Sequence, residues 1–285
     1  MKPFIICLFA FVNITISNSY LNYHELTSQA IYTHYQKDYI KADSLFQKAF
    51  ELVETPFIHD YKIAIDNALK LKDYEKTFSY LKTAIQLGLS KEAIEKKSWF
   101  SQIENRDEWF LLKQEYPALW ENYESQFDTE LRQAIKEIYH RDQDFRLNGG
   151  ENFDADNLER LKKIVAKNGY PGYHQVGQDV PLHIVFHHFS PENNETYFYD
   201  VLKKAIFTGD ISPYGYGGII DYDKFKRREP LVYGTYFTTV DGIRYLQPVE
   251  NFETLNEKRK SIGLEPVERF MEKFNIIYDP NFMGF

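Results

Sequence analysis

The sequence predicts a mostly α-helical protein, with helical repeats in its N-terminal part and an α-rich domain with one β-hairpin after them. Three observations lead to this prediction. Two stretches of the chain match each other at an offset of 35 residues. Apolar residues recur at helical spacing in the C-terminal half, as at Leu131, Ile135 and Ile138. Asp241-Gly242 separates two runs of aromatic and β-branched residues, which is a typical hairpin signal.

Composition excludes several classes of function. The chain has 285 residues, of which 43% are hydrophobic, so it is long enough and apolar enough to bury a core. Its formal net charge of -8 argues against a nucleic-acid partner and against attraction to an anionic membrane. No phosphate-loop or dinucleotide fingerprint occurs among its 14 glycines. We therefore expect no cofactor and no nucleic-acid partner.

The first 19 residues have the composition of a secretory signal. A basic start at Met1-Lys2 precedes an almost wholly apolar run over 3–16. Ser17 and Ser19 then place small residues at the -3 and -1 positions of a cut after Ser19. We expect cleavage there and export to the periplasm or the outside of the cell. An uncleaved anchor or a buried first helix is the alternative.

Cys7 is the single cysteine of the chain, and it lies inside this apolar run. Cleavage would remove it, which excludes cysteine nucleophiles, disulfides and thiolate metal sites from the mature protein. No other segment is apolar enough to span a bilayer, so we expect no integral membrane segment after cleavage.

Residues 20–119 are predicted to form the repeats and their cap. Lys37-Asp38-Tyr39 aligns with Lys72-Asp73-Tyr74, and the small or apolar positions that follow align as well. Those positions are Ala42, Phe46 and Ala49 against Thr77, Leu81 and Ala84. The pattern resembles divergent tetratricopeptide repeats, which lack their usual early Trp and Leu-Gly here. A generic pair of helical hairpins is the alternative, and both predict four antiparallel helices over 24–87.

Two repeats cannot close their own core, because each buries its apolar face on a neighbour. The aromatic segment 90–119, with Trp99 and Trp109, is therefore predicted to cap them. The concave side of such repeats could hold a protein or peptide partner.

Residues 120–285 are predicted to form the α-rich domain, with its hairpin near 233–249. Helical spacing predicts helices over 120–145, 156–167, 180–189, 197–207, 253–261 and 266–274. The apolar segment 180–189 also fits a buried strand. Asp154 or Asp156 is the expected cap of the second helix. Gly215-Tyr216-Gly217-Gly218 is predicted to be a flexible turn, and the basic run 224–228 a solvated loop.

The order of motifs over about 130–275 resembles a bacterial family of unknown function. The motifs that carry the resemblance are Asp142-Gln143 with Arg146, Asn157, Gly169-Tyr170-Pro171, Val176-Gly177, His188, Asp221, Tyr233-Gly234-Thr235, Arg259 and Gly263-Leu264. The resemblance implies a compact, mostly helical domain with a hairpin, and it implies no reaction. Three positions depart from the family pattern, in which His187, Tyr222 and Tyr236 are usually Gln, Arg and Gln.

His183 and His187 share one face of a helix if that segment is helical, a spacing that can hold zinc. No glutamate stands in the position that a zinc protease requires, and no clear third ligand is evident. We expect partly buried structural histidines and no metal.

A second group of polar residues could support acid–base chemistry. The candidate catalytic residues are His188, Asp221 and Arg146, and the candidate binding residues are Asp142, His187, Tyr233 and Thr235. A histidine with a carboxylate can transfer protons, and an arginine can hold an anion. The alternative is a buried polar network that ties the helices to the hairpin. Either way, we expect the site where His188 meets Asp221 and Tyr233.

The sequence thus favours an extracytoplasmic binding or interaction protein of unknown ligand. The alternative is a metal-independent hydrolase or transferase that uses His188 and Asp221.

Overall fold

The computed structural model describes residues 3–188 and 196–284, with side chains described over 19–188 and 198–284. Met1 and Lys2, and the side chains of the predicted signal up to residue 18, lie outside these ranges. So does Phe189, the last residue of a predicted helix. Within the described residues the fold is mostly α-helical, as predicted, and it contains one small sheet.

The N-terminal part is built from six α-helices and one short 3-10 helix. They are α1 (Pro3–Tyr35), α2 (Tyr39–Phe50), α3 (Ile58–Lys70), α4 (Tyr74–Gln86), α5 (Lys91–Glu95), the 3-10 helix Phe100–Gln102 and α6 (Asp107–Glu124). The C-terminal part contains α7 (Thr129–Asn148), α8 (Asp154–Asn168), α9 (Tyr173–Val176), α10 (His183–Phe186), α11 (Thr196–Thr208), α12 (Pro213–Lys226), α13 (Leu255–Ser261) and α14 (Val267–Phe274). Its strands are β1 (Phe237–Val240), β2 (Ile243–Leu246) and β3 (Ile276–Ile277).

The 35-residue match marks two turns of the same geometry. Lys37 and Lys72 both adopt positive φ, at 64° and 58°. Asp38 and Asp73 then cap α2 and α4 by accepting hydrogen bonds from the amides of Lys41 and Lys76. Because the turns are short, α1 pairs with α2 and α3 pairs with α4 as antiparallel hairpins.

Small residues let these hairpins approach closely. Ala42, Ala49 and Ala84 are completely buried, as the aligned positions predicted. Trp99 and Trp109 pack against the core of α3 and α4, in the place predicted for the cap. The assignment of the hairpins to tetratricopeptide repeats stays a prediction.

Two helix boundaries differ from the sequence prediction. The single helix predicted over 120–145 is wrong, because α6 ends at Glu124 and Asp128 caps a new helix through the amide of Leu131. The domain boundary predicted between residues 119 and 120 falls inside α6. The predicted aspartate cap of α8 is also wrong, because Phe153 is the N-cap residue and the first amide of the helix, that of Asp154, donates to the side chain of Asn152 at 2.8 Å.

Segments around the candidate site also differ. The helix predicted over 180–189 is shortened to the single turn α10. The turn predicted at Gly215 to Gly218 is wrong, because these residues lie buried inside α12. The loop predicted at 224–228 is wrong for its first three residues, because 224–226 form the C-terminal turn of α12, where cations interact favourably with the helix dipole. The helices predicted over 197–207, 253–261 and 266–274 are confirmed within one or two residues.

The predicted hairpin is confirmed as β1 and β2, which pair antiparallel in the register Phe237↔Leu246 to Val240↔Ile243. Its turn is Asp241-Gly242, and both residues have positive φ, at 50° and 81°. The sequence did not indicate β3, which pairs parallel with β2. Across the described residues, no helix is both long enough and apolar enough to cross a membrane.

Candidate functional site

His188 follows α10 and is held by a carboxylate of α7. Its Nδ1 lies 2.9 Å from both carboxylate oxygens of Asp142. Asp142 is buried, whereas the His188 side chain keeps 21% of its exposure. The prediction that His188 pairs with Asp221 is therefore wrong. Among the described residues, no hydrogen bond joins His188 to Asp221 or to Tyr233.

Arg146 completes the group around this carboxylate. It lies one turn after Asp142 on α7, and its guanidinium is 3.0 Å from the Asp142 carboxylate. It also binds both oxygens of Asp154 at 2.9 Å. Gln143 donates a further hydrogen bond to Asp142 at 2.7 Å. Asp142, Arg146 and His188 are thus brought together, as the sequence grouped them.

This geometry fixes the chemistry available to His188. A carboxylate that accepts from Nδ1 holds the neutral imidazole in the tautomer that leaves a lone pair on Nε2. Such a nitrogen can accept a proton from a substrate or water. The dyad can therefore act as a general base, with Asp142 as its positioning carboxylate.

Asp221 has a structural environment. It lies on α12 without exposure to solvent, and each carboxylate oxygen accepts two hydrogen bonds. One oxygen accepts from the amides of Val232 and Tyr233 at 2.8 and 2.9 Å, and the other from the amide and hydroxyl of Thr235 at 2.8 Å. Burial raises the pKa of Asp221, and these four donors oppose the shift. Its carboxylate ties α12 to the segment that leads into the hairpin.

The three residues that the resemblance marks as departures from the family pattern lie side by side. The ring of His187 is 5.5 Å from that of Tyr222, which is 5.7 Å from that of Tyr236. Burial lowers the pKa of His187 to about 4, and its Nε2 is buried without a hydrogen-bond partner. This candidate binding residue therefore sits among aromatic rings, apart from the Asp142 carboxylate.

Burial also lowers the pKa of His183 to about 4, so both histidines of the zinc-like spacing are neutral at pH 7. Over residues with described positions, no group of three His, Cys, Asp or Glu could hold a metal ion. The expectation that the protein needs no metal stays a prediction.

A large cleft lies between the two parts of the molecule, and the sequence did not reveal it. Its volume is about 830 Å³. From the N-terminal part it is lined by α1, the start of α3 and the segment 88–93. From the C-terminal part it is lined by the segments 173–183, 212–214, 235–237 and 263–274. Of the predicted site residues, Thr235 lines it.

Aromatic side chains form much of the cleft wall. Phe57 and Tyr173 stand edge to face with their ring centroids 5.5 Å apart. Phe237 and Phe274 stack at 6.5 Å, and Phe274 is 38% exposed. Such walls offer apolar contact area, and they occur in sites that bind organic ligands.

The buried acids of the cleft already have partners. Glu265 is 5% exposed and lies 2.6 Å from the ammonium of Lys273, while the hydroxyl of Tyr214 donates to its carboxylate. Asp60 is 6% exposed and accepts from the hydroxyl of Tyr23 at 2.5 Å. Burial raises the pKa of Asp60. The sequence analysis did not identify these acids, because nothing in the sequence showed that residues so far apart in the chain converge.

The remaining ionic groups around the cleft comprise one formed ion pair, neutral histidines and one lysine without an ion pair among the described residues. Arg132 binds both oxygens of Asp179 at 2.8 Å. Burial lowers the pKa of His24 to about 3 and that of His183 to about 4, so neither is charged at pH 7. Burial also lowers the pKa of Lys62, for which the described residues show no ion pair.

Comparison with known proteins gives one match. A family model described as "Family of unknown function (DUF6624)" matches residues 112–280, which is more than half of the chain. The match begins within α6 and extends past β3. No curated protein and no solved structure matches.

Proposed function

We propose, for a chain that belongs to the DUF6624 family of unknown function, that it is an exported binding protein which holds a protein or peptide partner in its cleft. The observation that carries the proposal is the cleft of about 830 Å³, lined by both parts of the molecule. This volume lies within the range of pockets that enclose most of an organic ligand. Its aromatic walls offer apolar contact area to such a partner.

The N-terminal hairpins support a protein or peptide as the partner. We propose that they are divergent tetratricopeptide repeats, a class of helical array that commonly presents a concave binding surface. His24, Thr27 and Ser28 of α1 and Asp60 of α3 line the cleft. The repeats would then supply one wall of the site, and the DUF6624 domain the other.

Export is the second part of the proposal, and it rests on the signal-like composition of residues 1–19. A cut after Ser19 would keep Tyr20 and Tyr23 in the mature chain, where both are buried against Phe57. Mass spectrometry of the exported protein should find an N-terminus at Tyr20 or within a few residues of it. A cytoplasmic protein that retains Met1 would contradict export.

The cleft can be tested with a fluorescent thiol, because the mature chain would contain no cysteine. Ala93 lines the cleft, whereas Ser101 is exposed outside it. Ala93→Cys and Ser101→Cys are each labelled with an environment-sensitive dye and titrated with a library of capped octapeptides. We expect a saturable fluorescence change from the Ala93→Cys label only. Equal responses from both labels, or none from either, would overturn the proposal.

A second candidate function follows from one specific observation, the bond from Nδ1 of His188 to Asp142 at 2.9 Å. In this alternative the protein is a metal-independent hydrolase or transferase. His188 is the general base, Asp142 positions it, and Arg146 lies beside them to attract an anionic group. The carboxylate that pairs with His188 is thus that of Asp142, and not that of Asp221 as the sequence predicted.

The test of this alternative uses p-nitrophenyl acetate and p-nitrophenyl phosphate as simple acyl and phosphoryl substrates. His188→Gln and Asp142→Asn should each lower hydrolysis at least about 100-fold, the lower end of what a positioned proton-transfer group contributes. His140→Gln is the matched control, since His140 is an exposed residue of α7. Hydrolysis that is absent in all four proteins, or unchanged by His188→Gln, would reject the alternative.

A further inference from the structure

The hairpin leaves one side of the sheet open. The strand order is β1-β2-β3, so β1 is an edge strand that pairs with β2 on one side only. An edge strand presents amide and carbonyl groups that can pair with another extended chain. β1 therefore offers a hydrogen-bonding surface of known spacing.

The register shows which groups face outward. In an antiparallel pair, residues alternate between those that bond to the neighbouring strand and those that point away from it. The amide of Gln247 donates to the carbonyl of Tyr236 at 3.1 Å, so Tyr236 bonds toward β2. By alternation from Tyr236, the backbones of Phe237 and Thr239 point away from β2. In the described part of the chain, no hydrogen bond uses the backbone amide or carbonyl of these two residues.

This edge borders the cleft. Phe237, the first residue of β1, lines it, and so does Thr235 two residues earlier. The partly exposed ring of Phe274 stacks on Phe237 and extends the apolar surface beside the edge. A strand added to β1 would place every second side chain against this aromatic surface.

The charged groups of the cleft determine which side chains of an added strand can carry a charge. The Glu265–Lys273 and Arg132–Asp179 pairs are already formed, and His24 and His183 are neutral at pH 7. The ammonium of Lys62 has no ion pair among the described residues, so it is the one cation here that could pair with an acidic side chain. Elsewhere in the cleft, a charged side chain would lose its hydration without gaining a free counterion. Uncharged side chains avoid that loss.

From these observations we propose that the partner held in the cleft is an extended peptide segment that adds to the sheet as a strand on the free edge of β1 and is uncharged outside the reach of Lys62. Hydrogen bonds would form between its backbone and the backbones of Phe237 and Thr239. The aromatic side chains at the cleft would select its alternate residues. This inference rests on the proposed function, since it specifies how the partner binds in the same cleft.

The experiment uses the full mature chain labelled at Ala93→Cys and an octapeptide of the library that changes its fluorescence. Two derivatives of that peptide are prepared. One carries N-methyl groups on its odd-numbered amides, and the other carries them on its even-numbered amides. Strand addition uses only the set that faces β1, so we expect one derivative to bind at least about tenfold more weakly, a loss of about 1.4 kcal/mol. The other derivative should keep the affinity of the parent.

Variants of the edge give the complementary test. Thr239→Pro removes the outward-facing amide and is tolerated at an edge strand, whereas Thr239→Ala keeps that amide. We expect Thr239→Pro to weaken peptide binding about tenfold and Thr239→Ala to leave it unchanged. Thermal melting verifies that each variant folds. If Thr239→Pro does not fold, the N-methylated peptides alone decide the question.

The outcomes separate the two proposals. If no octapeptide changes the fluorescence of the Ala93→Cys label, the proposed function fails together with the inference. If a peptide binds there but both N-methylated derivatives lose affinity equally, or neither does, only the strand pairing is overturned. A peptide that binds more tightly when lysine replaces its uncharged residues would contradict the composition that we infer.

Discussion

Two aspartates that the sequence grouped as site residues have different roles at the residue scale. Asp142 accepts from His188, Arg146 and Gln143, all of them side chains, and its partner His188 retains some exposure. Asp221 accepts from three backbone amides and one hydroxyl and is wholly buried. Side-chain partners can rearrange during a reaction, whereas backbone partners hold a carboxylate in one place in the fold. We therefore regard Asp221 as a structural link between α12 and the hairpin.

Asp221→Asn tests this role. An amide has only one accepting oxygen, so two of the four donors from residues 232–235 would lose their partner. Unsatisfied buried donors are costly, and we expect the free energy of unfolding to fall by about 3 kcal/mol in urea titrations. Asp241→Asn is the matched control, because asparagine is equally suited to the positive φ of this hairpin turn. Equal stability of the two variants would contradict a structural role for Asp221.

His24 makes the stability of the protein depend on pH. It is 6% exposed, packs on Phe57 with ring centroids 5.1 Å apart, and has its pKa lowered to about 3 by burial. In the unfolded chain it takes up a proton below about pH 6.5, whereas in the folded chain it stays neutral down to about pH 3. Stability is therefore unaffected by His24 above pH 6.5 and falls as pH drops from there toward 3.

His24→Gln should reduce this loss. Between pH 7 and 5 the wild type should lose about 2 kcal/mol more unfolding free energy than the variant, at about 1.4 kcal/mol for each pKa unit. Urea titrations at both pH values measure the difference. His140→Gln, at an exposed position, should keep the wild-type dependence. If the unfolding free energy of His24→Gln depends on pH as strongly as that of the wild type, His24 does not remain neutral in the folded protein.

At the scale of elements, the two N-terminal hairpins depend on small residues at helix contacts. Ala49 of α2 has no exposure and packs in a cluster with Tyr20, Tyr23 and Phe57. This cluster joins α1, α2 and the start of α3, next to the cleft. A larger side chain at Ala49 would have to displace these rings.

Ala49→Trp is therefore expected to lower the free energy of unfolding by about 1–3 kcal/mol through overpacking. Thermal or urea unfolding measures the loss. Lys48→Trp is the control, because Lys48 is the exposed neighbour on the same helix and a tryptophan there meets solvent. An Ala49→Trp variant as stable as Lys48→Trp would show that the contact is loose.

Elements with strong local signals could be predicted from the sequence, and those set by tertiary contacts could not. The helices α8, α11, α13 and α14 follow from periodic apolar residues, and the hairpin follows from Asp241-Gly242. The glycines of α12 disfavour a helix locally. In the fold, however, a Cβ at Gly217 would lie only 3.2 Å from the side chain of Leu264, so the glycine permits close packing there.

The candidate site shows the same division. The sequence indicated His188, Asp142 and Arg146 as members of one polar group, because His188 ends an apolar run and needs a polar partner, and the other two belong to the motifs that carry the family resemblance. It could not show that His188 pairs with Asp142 and not with Asp221, because that choice depends on how α7 and α10 pack. The cleft was missed entirely, because its lining comes from segments distributed between His24 and Phe274.

At the scale of the whole molecule, the cleft exists only because both parts of the chain contribute to it. Contacts across it include the hydroxyl of Ser28 to Glu265 at 3.5 Å and that of Tyr32 to Glu272 at 2.9 Å. These bonds join α1 to α14 and to the segment before it. The N-terminal hairpins are therefore part of the binding site in this account, and not a separate module attached to the DUF6624 domain.

Hydrogen exchange of the mature chain, with and without a bound octapeptide, tests this central claim most directly. A partner in the cleft should slow exchange on both walls at once, at the start of α3 over 57–62 and along the β1 segment over 235–240. Exchange on the outer face of α6, around the exposed residues Phe110 and Leu111, should stay unchanged. Protection confined to one wall, or found on α6 instead, would contradict a site formed by both parts of the molecule.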